Sequence, residues 1–206
     1  MTATAIPGRR AAKRTATRAR LLAAARELIG EGGIDAVTVA ELTERADVGF
    51  GTFYGYFETK EAVVRAVILD AIEQLAAAND ALTADLEDPA EVVAVAVRST
   101  LAVVDRDRAF AGFLLRVAQS SDEDLWAALR LRMERDIARG VAAGRFSADR
   151  ADVAGTMLGG AVLAALRAKL DGALTSAADV DVATSALVLL GIPEAEAVAL
   201  AQGVRP

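Results

Sequence analysis

The stretch ADVGFGTFYGYFETKEAV, residues 46–63, carries five of the nine aromatic residues of the chain, including both tyrosines, and all five fall between Phe50 and Phe57. Phe50, Phe53, Tyr54 and Phe57 are spaced i, i+3, i+4, i+7, which gathers them on one side of a helix and leaves Thr52, Gly55 and Tyr56 on the other. A helix over residues 50–57 is therefore predicted. Ahead of it, Asp47-Val48-Gly49 has the length of a tight turn, and Asp is among the few residues that tolerate a left-handed backbone. Gly51 and Gly55 each cost so short a helix about 1 kcal/mol relative to Ala. Two things could favour them: close packing on a neighbouring helix, or close approach to DNA.

The segments before this stretch give it a setting. Thr38, with Glu41 three residues on, has the pattern of a capping box opening a helix that ends near Ala46. Leu21, Leu22, Ala25, Leu28 and Ile29 mark the apolar side of an earlier helix over residues 15–30, stopped by Gly32 and Gly33. Two short helices joined by a three-residue turn and buttressed by a third form a helix-turn-helix, whose second helix enters the major groove of DNA.

After the stretch, Thr59 can cap a helix running to about residue 83, and Asp88-Pro89 opens the next. Asp105 or Asp107 starts another, and Ser121 with Asp124 a fourth. Ser147 or Asp149 then starts one that ends at Gly172, residues 177–190 form another closed by Gly191, and Pro193 opens the last. No segment alternates with period two, so the predicted class is all-α. The expected organisation is a flexible basic arm (1–14), a helix-turn-helix domain (15–60) and a larger helical body (61–206), with one long helix linking head and body.

Composition narrows the chemistry. A chain of 206 residues, 54% of them hydrophobic, can bury a sizeable core. It has no cysteine and no histidine, which excludes disulfides, thiolate nucleophiles, thiolate or imidazole metal sites and histidine-based acid/base catalysis. No set of carboxylates, Lys, Tyr or Ser stands out from a solvated helix face, so neither an enzyme nor a metal or cofactor is expected. The net charge of −6 is unevenly spread: Arg9, Arg10, Lys13, Arg14, Arg18, Arg20 and Arg26 precede the first acid, whereas residues 61–206 carry more acids than bases. A basic head attached to an acidic body suits a polyanionic partner, and an arm bearing Arg14 and Arg18 can follow the phosphate backbone. The apolar run 153–166 is shorter than a bilayer requires and is closed by Arg167 and Lys169, and no secretory signal follows the first cations. A cytoplasmic protein without a membrane partner is expected.

From Arg18 to Val67 the chain resembles the TetR family of bacterial transcriptional regulators. The matching residues are Arg18, Leu21, Ala25, Leu28, Gly33, Thr38, Leu42, Ala46 and Val48, then Gly51-Thr52-Phe53-Tyr54, Tyr56-Phe57 and Lys60-Glu61. The resemblance implies that Thr38, Thr52, Tyr54, Tyr56 and Lys60 lie against double-stranded DNA, with Gly49, Phe50, Gly51 and Gly55 on the same surface. It departs from the family at Phe50, where a polar or basic residue is common, and at Gly55, where a larger one is. Phe50 either touches thymine methyls or folds into the core.

For the body, the resemblance implies a two-fold dimer built on the last two long helices, matching two-fold related half-sites, and a pocket for a small-molecule effector. The expected dimer residues are Gly155, Gly159, Ala161, Leu166, Leu187 and Leu190, because small residues let helices approach closely. Phe110, Phe113, Trp126 and Met133 are the pocket candidates, although large side chains at this spacing also build cores. An effector held there would be apolar. The function expected is a homodimeric, ligand-released repressor. The alternatives are an effector-independent or architectural DNA-binding protein, and an all-helical enzyme or lipid carrier, which lacks a reactive constellation.

Overall fold

The computed structural model describes residues 9–118 and 123–203, and among them every regular element is helical. The chain divides into two compact units, Met1–Asp70 and Ala71–Pro206.

In the first unit, α1 (Arg9–Gly32), α2 (Val39–Arg45) and α3 (Phe50–Tyr54) are followed by the start of α4 (Lys60–Thr83). α1 begins six residues before the predicted position, so Lys13 and Arg14 lie on its first turns, and residues 1–8 of the expected arm lie outside the described residues. Thr38 caps α2 by accepting from the Glu41 N–H at 3.2 Å, and its hydroxyl donates to the Glu41 carboxylate at 2.7 Å. The turn after α2 places Asp47 at φ 50°, the left-handed backbone read from its sequence. Leu21, Ile29, Val37, Leu42, Phe53 and Val63 are fully buried and form the core of this unit.

The second unit holds the rest of α4, with α5 (Pro89–Leu101), α6 (Val103–Arg106), α7 (Arg108–Ala118), α8 (Glu123–Ala142), α9 (Ala151–Leu170), α10 (Ala178–Leu189) and α11 (Glu194–Gln202). α5 is its central helix, packed by α8, α9, α10 and α11, with Ala90, Val93, Ala94, Val97 and Leu101 buried. The sequence divides well into these helices except near residues 101–108, where α6 interposes a short turn between α5 and α7. Asp107 then serves as the cap for α7, accepting from the Phe110 N–H at 2.9 Å. α8 ends in a close approach. A Cβ on Gly140 would lie 2.0 Å from the buried Phe146 ring, so glycine is required there for the chain to fold back over its own helix.

α9 is longer than the run 153–166 suggested. At 20 residues it is long and apolar enough to cross a bilayer, criteria that a core helix of a bundle also meets. Its C-terminal turn contains Lys169, whose buried ammonium donates to both Asp179 carboxylate oxygens at 2.8 Å and to Asp105 at 3.0 Å. These bonds tie α9 to α10 and α6. Burying an ammonium is unfavourable unless it is paired in this way.

Asp88 joins three segments. Its side chain caps α5 by accepting from the Ala90 N–H at 2.9 Å, and it receives the Arg145 guanidinium in a two-bond fork at 2.9 and 2.8 Å. Arg145 also donates to Glu196 of α11 at 2.8 Å. The Arg145 hydrogen bonds hold the Asp88 carboxyl below the usual carboxylate range, helped by the Ala90 N–H, while partial burial opposes them. A lowered folded-state pKa contributes stability that is present above the unfolded value and lost as pH falls through the folded one. Asp88→Ala should lower the unfolding free energy by about 2 kcal/mol, combining a lost cap and a lost charge-assisted pair. Urea titration checks this. Asp88→Asn should cost less at pH 7, and its difference from wild type should shrink as pH falls below about 4 and vanish only below the lowered folded-state value.

Candidate nucleic-acid interface and effector cavity

α3 presents two unlike faces. Phe53 is fully buried beneath it and Phe57 nearly so, the two rings 6.1 Å apart. Phe50 and Tyr54, one turn apart, are 54% and 56% exposed. The predicted four-residue stripe therefore splits into two i, i+4 pairs, with Phe53 and Phe57 turned inward and Phe50 and Tyr54 turned out. Phe50 lies outside the core, and Tyr54 stands edge-on to Phe53, 5.2 Å between centroids, with its other side in solvent.

The glycines of α3 differ in what requires them. A Cβ on Gly51 would meet nothing within 4 Å, so packing inside the chain does not call for glycine there. On Gly55 it would press on the Thr52 carbonyl oxygen at 3.2 Å, a local crowding at the helix end. Gly49 is the N-cap of α3 in extended conformation, and Gly49, Gly51, Thr52 and Gly55 are all exposed.

Cations border this face. The Arg14 guanidinium lies 5.5 Å from the centre of the Tyr56 ring and that of Arg18 5.5 Å from the Phe57 ring, a cation–π geometry that brings the basic start of α1 to the end of α3. Lys60 donates to the Val37 carbonyl at 3.2 Å, which fixes its ammonium beside the N-terminus of α2 and leaves donors over for an anion. Thr38 is exposed, with its hydroxyl engaged in both directions by Glu41. The structure thus brings Arg14 to Tyr56 and Lys60 to the residue before Thr38, while Phe50, Gly51, Thr52 and Tyr54 are exposed on α3.

A cavity of about 540 Å³ opens in the second unit among α4, α5, α8 and α9, with Ile72, Leu75, Val93, Val97, Met133 and Leu163 on its walls. Of the predicted pocket residues only Met133 reaches it among the described side chains. Phe113 is 1% exposed and packs with Phe110 at 6.2 Å in the core along α7, and the side chain of Trp126 lies outside those described. The polar residues on the walls were not predicted: Asn79, Thr83, Thr100 and Thr156, the ion pair of Asp80 with Arg132, and Arg130, Arg135, Asp136 and Arg139. Arg132 holds the Asp80 carboxyl below its ordinary range. Asn79 stands in the run AAAND of α4, the one signal in the sequence that could have drawn attention to it.

Two family models match the chain: "Bacterial regulatory proteins, tetR family" over residues 21–67, and "Tetracyclin repressor-like, C-terminal domain" over residues 88–203. The chain belongs to the TetR family. It is a transcription regulator with a helix-turn-helix DNA-binding domain, and members of the TetR family are non-enzymatic DNA-binding proteins. Among solved structures it is similar to the regulator RolR at 36% identity. RolR without ligand aligns with a TM-score of 0.67 over 91% of this chain and 97% of that one. RolR in complex with resorcinol aligns with a TM-score of 0.70 over 95% and 97%. FadR of Bacillus subtilis, solved with stearoyl-CoA, shares the fold at 17% identity, with a TM-score of 0.69 over 84% and 97%. No curated protein matches the chain.

The residues expected at a TetR-type dimer interface separate in the structure. Leu166, Leu187 and Leu190 are at most 2% exposed and belong to the core of their own subunit. Gly155 and Gly159 turn toward α8, where a Cβ would lie 3.2 Å from Ile137 and 3.3 Å from Met133. Ala161 alone of the six is exposed. It belongs to a stripe of α9 at helical spacing, Val153, Met157, Gly160, Ala161 and Ala164, all exposed and none charged. Five of the six residues read as dimer contacts are thus turned into their own chain.

The two aromatic faces of α3 predict opposite responses to truncation. Phe53→Ala should destabilise the first unit by about 3–5 kcal/mol, as removal of a buried ring does. Phe50→Ala should change it by less than about 0.5 kcal/mol, as at an exposed site. Chemical denaturation followed by circular dichroism distinguishes them.

Proposed function

We propose that this protein is a homodimeric repressor that reads DNA through α3 and leaves it when a small, largely apolar molecule occupies the cavity. The observation that carries the DNA half is the exposed face of α3. It holds two aromatic rings and a glycine that nothing in the chain requires, bordered by Arg14, Arg18 and Lys60. In this reading Phe50 makes apolar contact with thymine methyls, and Gly51, Gly49 and Gly55 let the backbone approach the groove. Thr52, Tyr54 and Tyr56 give hydroxyls to phosphates, and Lys60 neutralises one. Thr38 adds the N-terminus of α2, where the dipole favours an anion once the Glu41 carboxylate swings aside.

The second copy seats on the exposed stripe of α9, where Met157 and Val153 give apolar area and Gly160, Ala161 and Ala164 let the partner helix come close. Val188 of α10 is also exposed. A two-fold dimer presents two copies of α3 to two half-sites, which a single five-residue helix needs for specificity. For the effector half, the cavity volume lies in the range of ligand pockets, roughly 300–1,000 Å³. RolR, 36% identical, was solved with resorcinol, which supports a ligand about the size of one aromatic ring. Such a regulator acts in the cytoplasm, where the DNA is, and uses no cofactor.

Footprinting of the purified protein on its own fragmented genome tests the reading. Protected sites with two-fold symmetry, lost on addition of a ligand, support it; protection that no metabolite alters would point instead to an effector-independent DNA-binding protein. Three measurements refine it. Gly51→Ala should leave the head equally or more stable, by up to about 1 kcal/mol, yet weaken operator binding in a fluorescence titration. If ~6–10 phosphates are covered, affinity should fall by ~10³ to 10⁵ between 50 and 200 mM salt. Met157→Glu should shift the dimer to monomer in sedimentation and lower operator affinity with it.

A further inference from the structure

Residues 49–56, GFGTFYGY, contain no Arg, Lys, Asn, Gln, Asp or Glu. Those are the side chains that distinguish base pairs in the major groove through fixed donors and acceptors. What α3 exposes instead is a ring and bare backbone. Phe50 is 54% exposed in its first turn, and a Cβ on the next residue, Gly51, would meet nothing within 4 Å. Thr52, Tyr54 and Tyr56 bring hydroxyls, and a hydroxyl both donates and accepts, so it does not by itself separate thymine O4 from the cytosine N4 amino group. The apolar feature that base edges present in the major groove is the C5-methyl of thymine, and the apolar group that α3 holds out to it is the Phe50 ring.

We infer that α3 recognises a pyrimidine by its C5-methyl group rather than by its hydrogen-bonding edge, so that 5-methylcytosine serves in place of thymine opposite Phe50 and binding responds to cytosine C5-methylation. This rests on α3 being the helix that reads DNA, as proposed above. Thymine and uracil present the same donors and acceptors, and only the methyl separates them. Without it, the Phe50 ring faces polar base edges and water, and the apolar area that contact would bury stays exposed. Thymine and 5-methylcytosine differ at C4 and in the paired purine, but residues 49–56 hold no side chain of fixed polarity to register that difference. The cations placed by the structure, Arg14 over the Tyr56 ring and Lys60 on the Val37 carbonyl, add charge for phosphates, which carry no sequence information.

The test is a fluorescence titration of the full-length protein against its footprinted operator. Each thymine of the half-sites is replaced in turn by deoxyuridine, or by cytosine or 5-methylcytosine with guanine opposite. At the position facing Phe50, uracil and cytosine should each weaken binding about fourfold per half-site, the factor that goes with one buried methyl group. There 5-methylcytosine should stay within about twofold of thymine. Phe50→Ala should bind all these duplexes within about twofold of one another, whereas Phe50→Leu, still apolar, should keep the methyl preference. Circular dichroism checks that both variants are folded. Equal binding of thymine and uracil by wild type at every position would overturn the inference and leave α3 as a DNA reader. A methyl preference that persists in Phe50→Ala would assign it to the deformability of the DNA and also overturn the inference. So would 5-methylcytosine bound no better than cytosine, because a donor or acceptor at C4 would then be read. Absence of any protected site in the footprint would overturn both the inference and the DNA half of the proposed function.

Discussion

A helix of five residues cannot hold its own shape in water, because the first turn fixes several backbone dihedrals for a single hydrogen bond. α3 therefore exists only through what lies beneath it, and the centre of that contact is Phe53, fully buried among residues that include Leu21, Ile29 and Leu42. The ring sets the rotation of α3 about its axis, and the rotation sets which side chains face outward. Phe50 and Tyr54 flank Phe53 on the helix and are exposed because Phe53 is not. Phe57 adds a second anchor beyond the turn, and Arg18 over its ring brings α1 to the same place. The surface proposed to face DNA is in this sense the outer side of a packing decision made by one residue.

The second unit is organised by paired charges as much as by apolar area. Its helices are rich in alanine and valine, which bury little area per residue and specify rotation weakly. Two networks compensate. Arg145 joins the start of α5 to α11 through Asp88 and Glu196, and Lys169 joins α9 to α10 and α6 through Asp179 and Asp105. Both cations are held by two acidic residues each, which is the condition under which a partly or fully buried charge is tolerated. They lie at helix ends, where such bonds also fix where each helix begins or stops.

The sequence made the helices legible because their ends carry chemistry. Thr38, Thr59 and Asp88 cap where their side chains imply, and Asp47 takes the left-handed backbone its residue type permits. What it concealed were rotations and interruptions. A periodic stripe such as Phe50, Phe53, Tyr54 and Phe57 is wider than the side of so short a helix that packs, and burial takes Phe53 and Phe57 and leaves Phe50 and Tyr54 outside. On α9 both faces are built of small residues, so spacing alone did not separate Gly155 and Gly159, which face α8, from Met157 and Ala161, which face out. The cavity was least legible. Its walls come from four helices distant in sequence, and the aromatic residues that drew attention on α7 pack into the core instead.

Three positions break local rules without repair from within the chain. Phe50 exposes an aromatic ring, Gly51 weakens a helix that is already short, and Asn79 buries a carbonyl without a donor. Each is unfavourable to folding by a fraction of a kcal/mol to a few kcal/mol. Two adjoin on the outer face of α3 and the third is on the wall of the cavity. Folding alone would favour a polar residue, an alanine and a leucine at these positions. Departures of this kind concentrate where a structure serves binding rather than its own stability. Phe50 and Gly51 fit that pattern on the face proposed to read DNA.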